Sequence, residues 1–177
     1  MHGMSSTQDP VPTSEWILPK RKRTHLPDHD YAAAGAYFVT VCTHGRECRF
    51  GDVVNGLIRL NAIGEVVATV WQDIPRHFPN VGTDEFILMP NHLHGILIFF
   101  GHEDDPATES RPPRARMPGP KRASLASIIG AFKSSASRHI NAATSARISP
   151  LWQRGYYDHV VRSDDALDRV REYIRNN

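Results

Sequence analysis

The stretch Glu85-Phe86-Ile87-Leu88-Met89-Pro90-Asn91-His92-Leu93-His94-Gly95-Ile96-Leu97-Ile98-Phe99-Phe100 decides how the chain is read. It reads as two strands, Glu85 to Met89 and His92 to Phe100, or as one strand kinked at Met89-Pro90-Asn91. Either way, side chains alternate along extended backbone. His92 and His94 then share one face, about 7 Å apart along the backbone, and Leu93 points into the opposite layer. Two imidazoles at that spacing can converge on one cation, and Gly95 leaves space beside them for a substrate backbone. The bland alternative is an ordinary pair of polar face residues. Against it stands the apolar character of the rest of the strand, where an unpartnered imidazole pair is costly.

Outward from this segment the periodicities alternate between strand and helix. Tyr37 to Thr43 reads as a strand, and Leu57 to Leu60 as a weaker one. Ile63, Val66, Val67, Val70, Trp71 and Ile74 recur at helical spacing, with Asn61 as the cap and Pro75 near the end. A second amphipathic helix carries Leu125, Ile128, Ile129, Phe132, Ala136 and Ile140 on one stripe. A short extended piece precedes a last helix that starts at Ser163, with Asp164 and Asp165 at the positive end of its dipole. This mixture favours an α+β sandwich, an antiparallel sheet covered on one face by helices.

With 177 residues and 40% hydrophobic side chains, the chain suits one domain at 31–177 behind a poorly ordered basic segment at 1–30. A stretch at about 101–122 begins acidic, ends basic and holds five prolines, which marks an exposed connector. The longest apolar run, Ile96 to Phe100, is too short to cross a membrane, and the N-terminus lacks a secretory apolar core. Cys42 and Cys48, without a wider cysteine framework, read as free thiols of a cytoplasmic protein. The net charge of +2 excludes nothing, but the basic residues cluster. Lys20, Arg21, Lys22 and Arg23 form one block, and Arg111, Arg114, Arg116, Lys121 and Arg122 form another, as phosphate contacts or as solvated tails.

At the C-terminus, Tyr173 and Asn177 are four residues apart and share a helix face. If that helix crosses the sheet near the histidines, phenol and amide reach one point; otherwise Tyr173 belongs to the packing stripe of Ala166, Val170 and Ile174. Tyr156 and Tyr157 are rival nucleophiles that sit near Trp152 and also suit packing or base stacking. Lys133 and Arg138 lie off the apolar stripe of their helix, open either to phosphates or to water. Asp158 and His159 are a further polar pair, read first as structural hydrogen-bonding groups. A histidine-triad nucleotide hydrolase is excluded because Ile96 stands where a third histidine is needed.

Five elements occur in order: Gly-Ala-Tyr-Phe-Val-Thr (35–40), Met-Pro-Asn-His-Leu-His-Gly (89–95), Ile-Gly-Ala-Phe-Lys-Ser (129–134), Leu-Trp-Gln-Arg-Gly-Tyr-Tyr-Asp-His-Val-Val-Arg (151–162) and Tyr-Ile-Arg-Asn-Asn (173–177). Together they resemble the single-tyrosine HUH transposases, in particular the REP-associated tyrosine transposase branch, from about Tyr31 onward. The resemblance implies a ferredoxin-like α+β domain with a central antiparallel sheet. It implies that His92 and His94 bind Mg2+ or Mn2+, that Tyr173 is the nucleophile, and that Asn177 matches a polar metal ligand one helical turn later. Family members continue past that asparagine with a proline and a further stretch. The implied substrate is single-stranded DNA whose imperfect palindromes fold as hairpins. Arg21, Lys22, Arg23, Lys133, Arg138 and Arg154 are the candidate DNA contacts.

The expected chemistry is cleavage and rejoining through a 5′-phosphotyrosine by a metal-dependent DNA transposase, as a monomer or homodimer. A free phenol titrates near pH 10 and needs assistance at neutral pH. Two other readings stand beside it. One is a structured-DNA-binding protein that has lost catalysis. The other is a water-using phosphodiesterase, disfavoured because no carboxylate set accompanies the histidines.

Overall fold

The computed structural model describes residues 33–100, 123–144 and 150–177. The N-terminal segment with Arg21, Lys22 and Arg23, and the connector at 101–122, lie outside the described residues. The elements run β1 (Gly35–Cys42), β2 (Gly51–Val54), β3 (Leu57–Leu60), α1 (Ala62–Gln72), the single turn α2 (Ile74–His77), β4 (Val81–Met89), β5 (His92–Phe99), α3 (Leu125–Ala143), β6 (Tyr157–Val161) and α4 (Asp164–Arg175).

The Met-Pro-Asn break resolves as a hairpin. β4 and β5 pair antiparallel, with Met89 opposite His92 and Pro90-Asn91 as the turn. β5 also pairs with β1, and β1 with β6, so the sheet order is β4-β5-β1-β6 with every neighbour antiparallel. Helix α1 links β1 to β4 across β5, and α3 links β5 to β6 across β1. Two such interleaved split units make the ferredoxin-like arrangement.

Two expectations are met and extended. Leu57–Leu60 is a strand, and it pairs with the unforeseen β2 in a ribbon separate from the main sheet. Asn55 and Gly56, at φ 52° and 76°, form its two-residue turn, and Asn-Gly between apolar residues is a strong hairpin signal. The short extended piece before the last helix is the fourth strand of the sheet, β6.

The sheet is also covered on both faces. Tyr37, Val39, Val41, Leu93 and Leu97 turn one face towards Val67, Val70 and Trp71 of α1 and Ile128, Ile129, Phe132 and Ile140 of α3, and this is the core. The other face carries Phe38, Thr40, His92 and His94, with α4 lying over it. Helix starts follow the caps: Asn61 Oδ1 accepts from the amides of Ile63 and Gly64, each at 3.0 Å, and Ser163 Oγ from Ala166 N at 3.3 Å. Among the described residues no helix is long and apolar enough to cross a membrane.

Gly95 serves a purpose other than the one expected. It points away from the histidines, into the core, where a Cβ would stand 2.5 Å from Cζ2 of the fully buried Trp71. The space beside Gly95 is filled by indole, so no substrate backbone approaches there.

Candidate active site

His92 and His94 sit near the start of β5, next to a hairpin end that the chain braces from outside. The Pro90 carbonyl accepts from the amides of Arg49 and Phe50, at 2.8 and 2.9 Å, and the Asn91 carbonyl from Thr43 N at 3.0 Å. The Asn91 side chain joins this bracing to the site. Its Nδ2 donates to the Arg46 carbonyl at 3.2 Å, which leaves Oδ1 as the acceptor 2.6 Å from His92 Nδ1. His92 Nδ1 therefore carries the proton, and its Nε2 carries the lone pair.

His94 is held on its other side by Thr40, whose hydroxyl lies 2.8 Å from His94 Nδ1. Thr40 and His94 are directly paired across β1 and β5, which is why a threonine there can hold the ring. The two Nε2 atoms end 3.1 Å apart. Burial, then the neighbouring His92, pushes His94 down to about 4, and burial followed by the Arg46 charge lowers His92 as well. Both rings are thus neutral at physiological pH, the form that ligates metals.

This arrangement fits a divalent cation. With metal–nitrogen bonds of about 2.1 Å, nitrogens this far apart subtend about 95°, close to the right angle between neighbouring octahedral positions. The outward-facing nitrogens are already oriented by Asn91 and Thr40, as ligating imidazoles require. Among the described residues, no third His, Cys, Asp or Glu joins the pair.

Helix α4 brings Tyr173 onto the same face. Its hydroxyl lies 3.5 Å from His94 Nε2, and its ring meets the rings of His94 and Phe38 edge-on, with centroids 5.5 and 6.0 Å away. Phe38 also stacks on His94 at 5.4 Å. Tyr173 remains 39% exposed. The helix closes at Arg175, with Asn176 as its cap, so Asn177 falls beyond the last turn and is exposed.

The remaining candidates divide by position. Lys133 donates to the carbonyls of Gln153 and Gly155, and its own carbonyl accepts from Trp152 Nε1 at 3.0 Å. Its ammonium therefore holds a loop, and the loop presents the exposed Arg154 between the two bound carbonyls. Arg138 is exposed on α3, which covers the opposite face of the sheet from the histidines. Trp152 packs on Phe50 and Phe132, with centroids 5.4 and 5.5 Å away, and belongs to the core. Tyr156 packs there too. In β6, Tyr157 and His159 are paired with Thr40 and Phe38 and so share the histidine face, whereas Asp158 is on the other side.

Thr40, Phe38 and Asn91 escaped the sequence reading as site residues. The first two are legible only once β1 is known to lie beside β5. Asn91 was visible as part of a turn, without a sign that its amide orients His92.

The family model described as "Transposase IS200 like" matches residues 117–177, which contain Tyr173. An uncharacterized protein of Haemophilus influenzae is 35% identical over 159 residues, covering 89% of this chain and 87% of the relative. The chain belongs to the IS200-like transposase family. Among solved structures, this transposase is similar to a REP-associated tyrosine transposase bound to a REP hairpin. That match has a TM-score of 0.55 at 15% identity and covers 89% of this chain and 70% of the other. A putative transposase from Deinococcus radiodurans matches with a TM-score of 0.49 at 14% identity, over 89% and 97% of the two chains. At such identities the REP-associated structure supports the fold of the IS200-like transposase and nothing finer.

Proposed function

We propose that this protein is a REP-associated type of tyrosine transposase that cuts and rejoins single-stranded DNA at hairpin-forming sites, with Tyr173 as nucleophile. The reading rests above all on one observation: the Tyr173 hydroxyl stands 3.5 Å from His94 Nε2, beside a second imidazole whose Nε2 is 3.1 Å further on. The Tyr173 hydroxyl gives up its proton to solvent, and its oxygen forms a bond to the phosphorus of a backbone phosphate. The bond from phosphorus to the 3′ oxygen breaks, and that oxygen leaves with the electron pair and takes up a proton as a free 3′-hydroxyl. One phosphodiester replaces another, so the 3′-hydroxyl of another strand reverses the step without ATP.

His92 and His94 would hold Mg2+ or Mn2+, which when bound supplies Lewis-acid polarisation of the phosphate. Thr40 and Asn91 hold both rings so that their Nε2 atoms face that position. Phe38 walls the phenol on its inner side and limits the directions from which the phosphate reaches it. Arg154, on the loop that Lys133 holds, is the candidate phosphate contact; Arg138, on α3 across the sheet from the histidines, is set aside, and Arg21, Lys22 and Arg23 remain candidates from the sequence alone.

The test is incubation with hairpin-bearing single-stranded oligonucleotides and Mn2+, followed by denaturing electrophoresis. The wild type should give a protein–DNA adduct and Tyr173→Phe none. No adduct from the wild type, or an equal one from Tyr173→Phe, refutes the assignment. Among the described residues no third His, Cys, Asp or Glu joins the imidazole pair, which supports a second reading, a hairpin-binding protein without catalysis. In that case binding persists with a log–log salt slope of about −0.7 per phosphate contact and is insensitive to His92→Ala.

A further inference from the structure

Helix α4 carries Tyr173 but has a thin apolar footing: Ile174 is its one fully buried residue. Beside the contacts of Tyr173 with Phe38 and His94, it is attached through ion pairs. Arg171 donates through Nε and Nη2 to the same Asp84 oxygen, at 3.0 and 2.6 Å, while its Nη1 reaches Asp168 at 2.9 Å. One turn on, Arg175 Nε donates to Glu85 at 3.0 Å. In a regular strand Asp84 and Glu85 would face opposite ways. The register of β4 against β5 shifts between Thr83 and Phe86, and this bulge lets two consecutive carboxylates meet one helix.

The arrangement around the helix axis gives these pairs a directional effect. At about 100° per residue, Arg171 and Arg175 occupy one flank, Ile174 and Val170 the underside, and Tyr173 the far flank. β4 is an edge of the sheet, whereas His94 and Phe38 stand on the interior strands β5 and β1. Tying the arginine flank to the edge rolls the tyrosine flank inward over the histidines. The phenol oxygen is about 9 Å from the helix axis, so a roll of about 20° displaces it by about 3 Å.

We infer that Asp84 and Arg171 form a positioning pair that sets the roll of α4 and thereby holds Tyr173 over the histidines of its own chain. Arg171 touches neither histidine nor phenol, and the pair acts only through the helix. The functional consequence rests on Tyr173 being the nucleophile. The geometric claim does not, and the experiment separates the two.

The geometric readout is the NMR signal of the His94 ring protons, which the Tyr173 ring shifts at this separation. Tyr173→Leu supplies the reference position without that ring. In Arg171→Met, and independently in Asp84→Asn, the His94 signal should move at least halfway to the reference. The exchange Asp84→Arg with Arg171→Asp should return it. In parallel, the adduct-forming rate with hairpin oligonucleotide and Mn2+ should fall at least tenfold in each single variant, with hairpin affinity within twofold and recovery in the exchange variant. A displacement of about 1 Å can already cost two orders of magnitude. His94 signals that stay at the wild-type position in both single variants overturn the inference, whatever the rates. Signals that move as expected, with no adduct from the wild type, uphold the pair and refute the nucleophile.

Discussion

Gly95→Ala should destabilise the protein by about 2 kcal/mol, although it adds one methyl group to a strand. The new Cβ would stand 2.5 Å from Cζ2 and 2.9 Å from Cε2 of Trp71, and 3.2 Å from Cβ of Phe86. Carbon atoms rest at about 3.5–4.0 Å, so indole and strand must separate by about 1 Å. The indole has little room to yield: it is fully buried, with the Phe132 ring edge-on at 5.2 Å and Phe86 at 6.4 Å. Overpacking of this kind costs about 1–3 kcal/mol. In a domain of this size, 2 kcal/mol lowers the thermal midpoint by about 4–8 °C. Circular dichroism melting of the wild type, Gly95→Ala, Trp71→Phe and the double variant reads both the loss and its cause. The smaller ring introduced by Trp71→Phe should absorb much of the added methyl, so the two changes should couple by more than about 1 kcal/mol. A midpoint for Gly95→Ala within about 1 °C of the wild type, or strictly additive losses, would refute the packing account.

Three further outcomes follow from the site. His94 is depressed to about 4 from 6.5, so between those values the unfolded chain binds the proton and the folded chain does not. Stability conferred by the neutral ring is complete above about pH 6.5 and is lost as the pH falls towards 4, by up to about 3 kcal/mol. Urea denaturation of metal-free protein at pH 7 and 4.5 should show a larger loss for the wild type than for His94→Leu. Thr40→Val removes the partner of His94 Nδ1 and should weaken Mn2+ binding about 10–100-fold in calorimetric titration, with Thr40→Ser retaining affinity. Lys133→Met should cost only about 1–2 kcal/mol, because water reaches the released carbonyls; the decisive measurement is faster amide hydrogen exchange across residues 151–156, and unchanged exchange would count against the loop-holding role.

Much of this fold is local and therefore legible in the chain. The stripe from Ile63 to Ile74 specifies a helix wherever it packs, and alternation alone puts His92 and His94 on one face with Leu93 opposite. What escaped depends on neighbours distant in sequence. Gly95 looked like an opening because nothing near it in the chain announces Trp71. Lys133 looked like a free cation because its acceptors lie twenty residues on, in a loop without periodicity. The strand β2 was missed although Asn55-Gly56 signals its turn, since Gly51-Asp52-Val53-Val54 has little strand pattern of its own. The bulge at Asp84 leaves no mark in composition. Nor do adjacent acidic residues reveal that both meet one helix.

The strand that carries the imidazoles lies in the interior of the sheet, with hydrogen-bonded neighbours along both margins. A slip by a single position would bury both rings among the aliphatic residues beneath and expose Leu93. The imidazole pair therefore has no soft route of distortion. A force on α4 would be passed through Asp84 and Glu85 into the outermost strand. A change in the angle of that helix would thus leave the imidazole platform beneath it as it is.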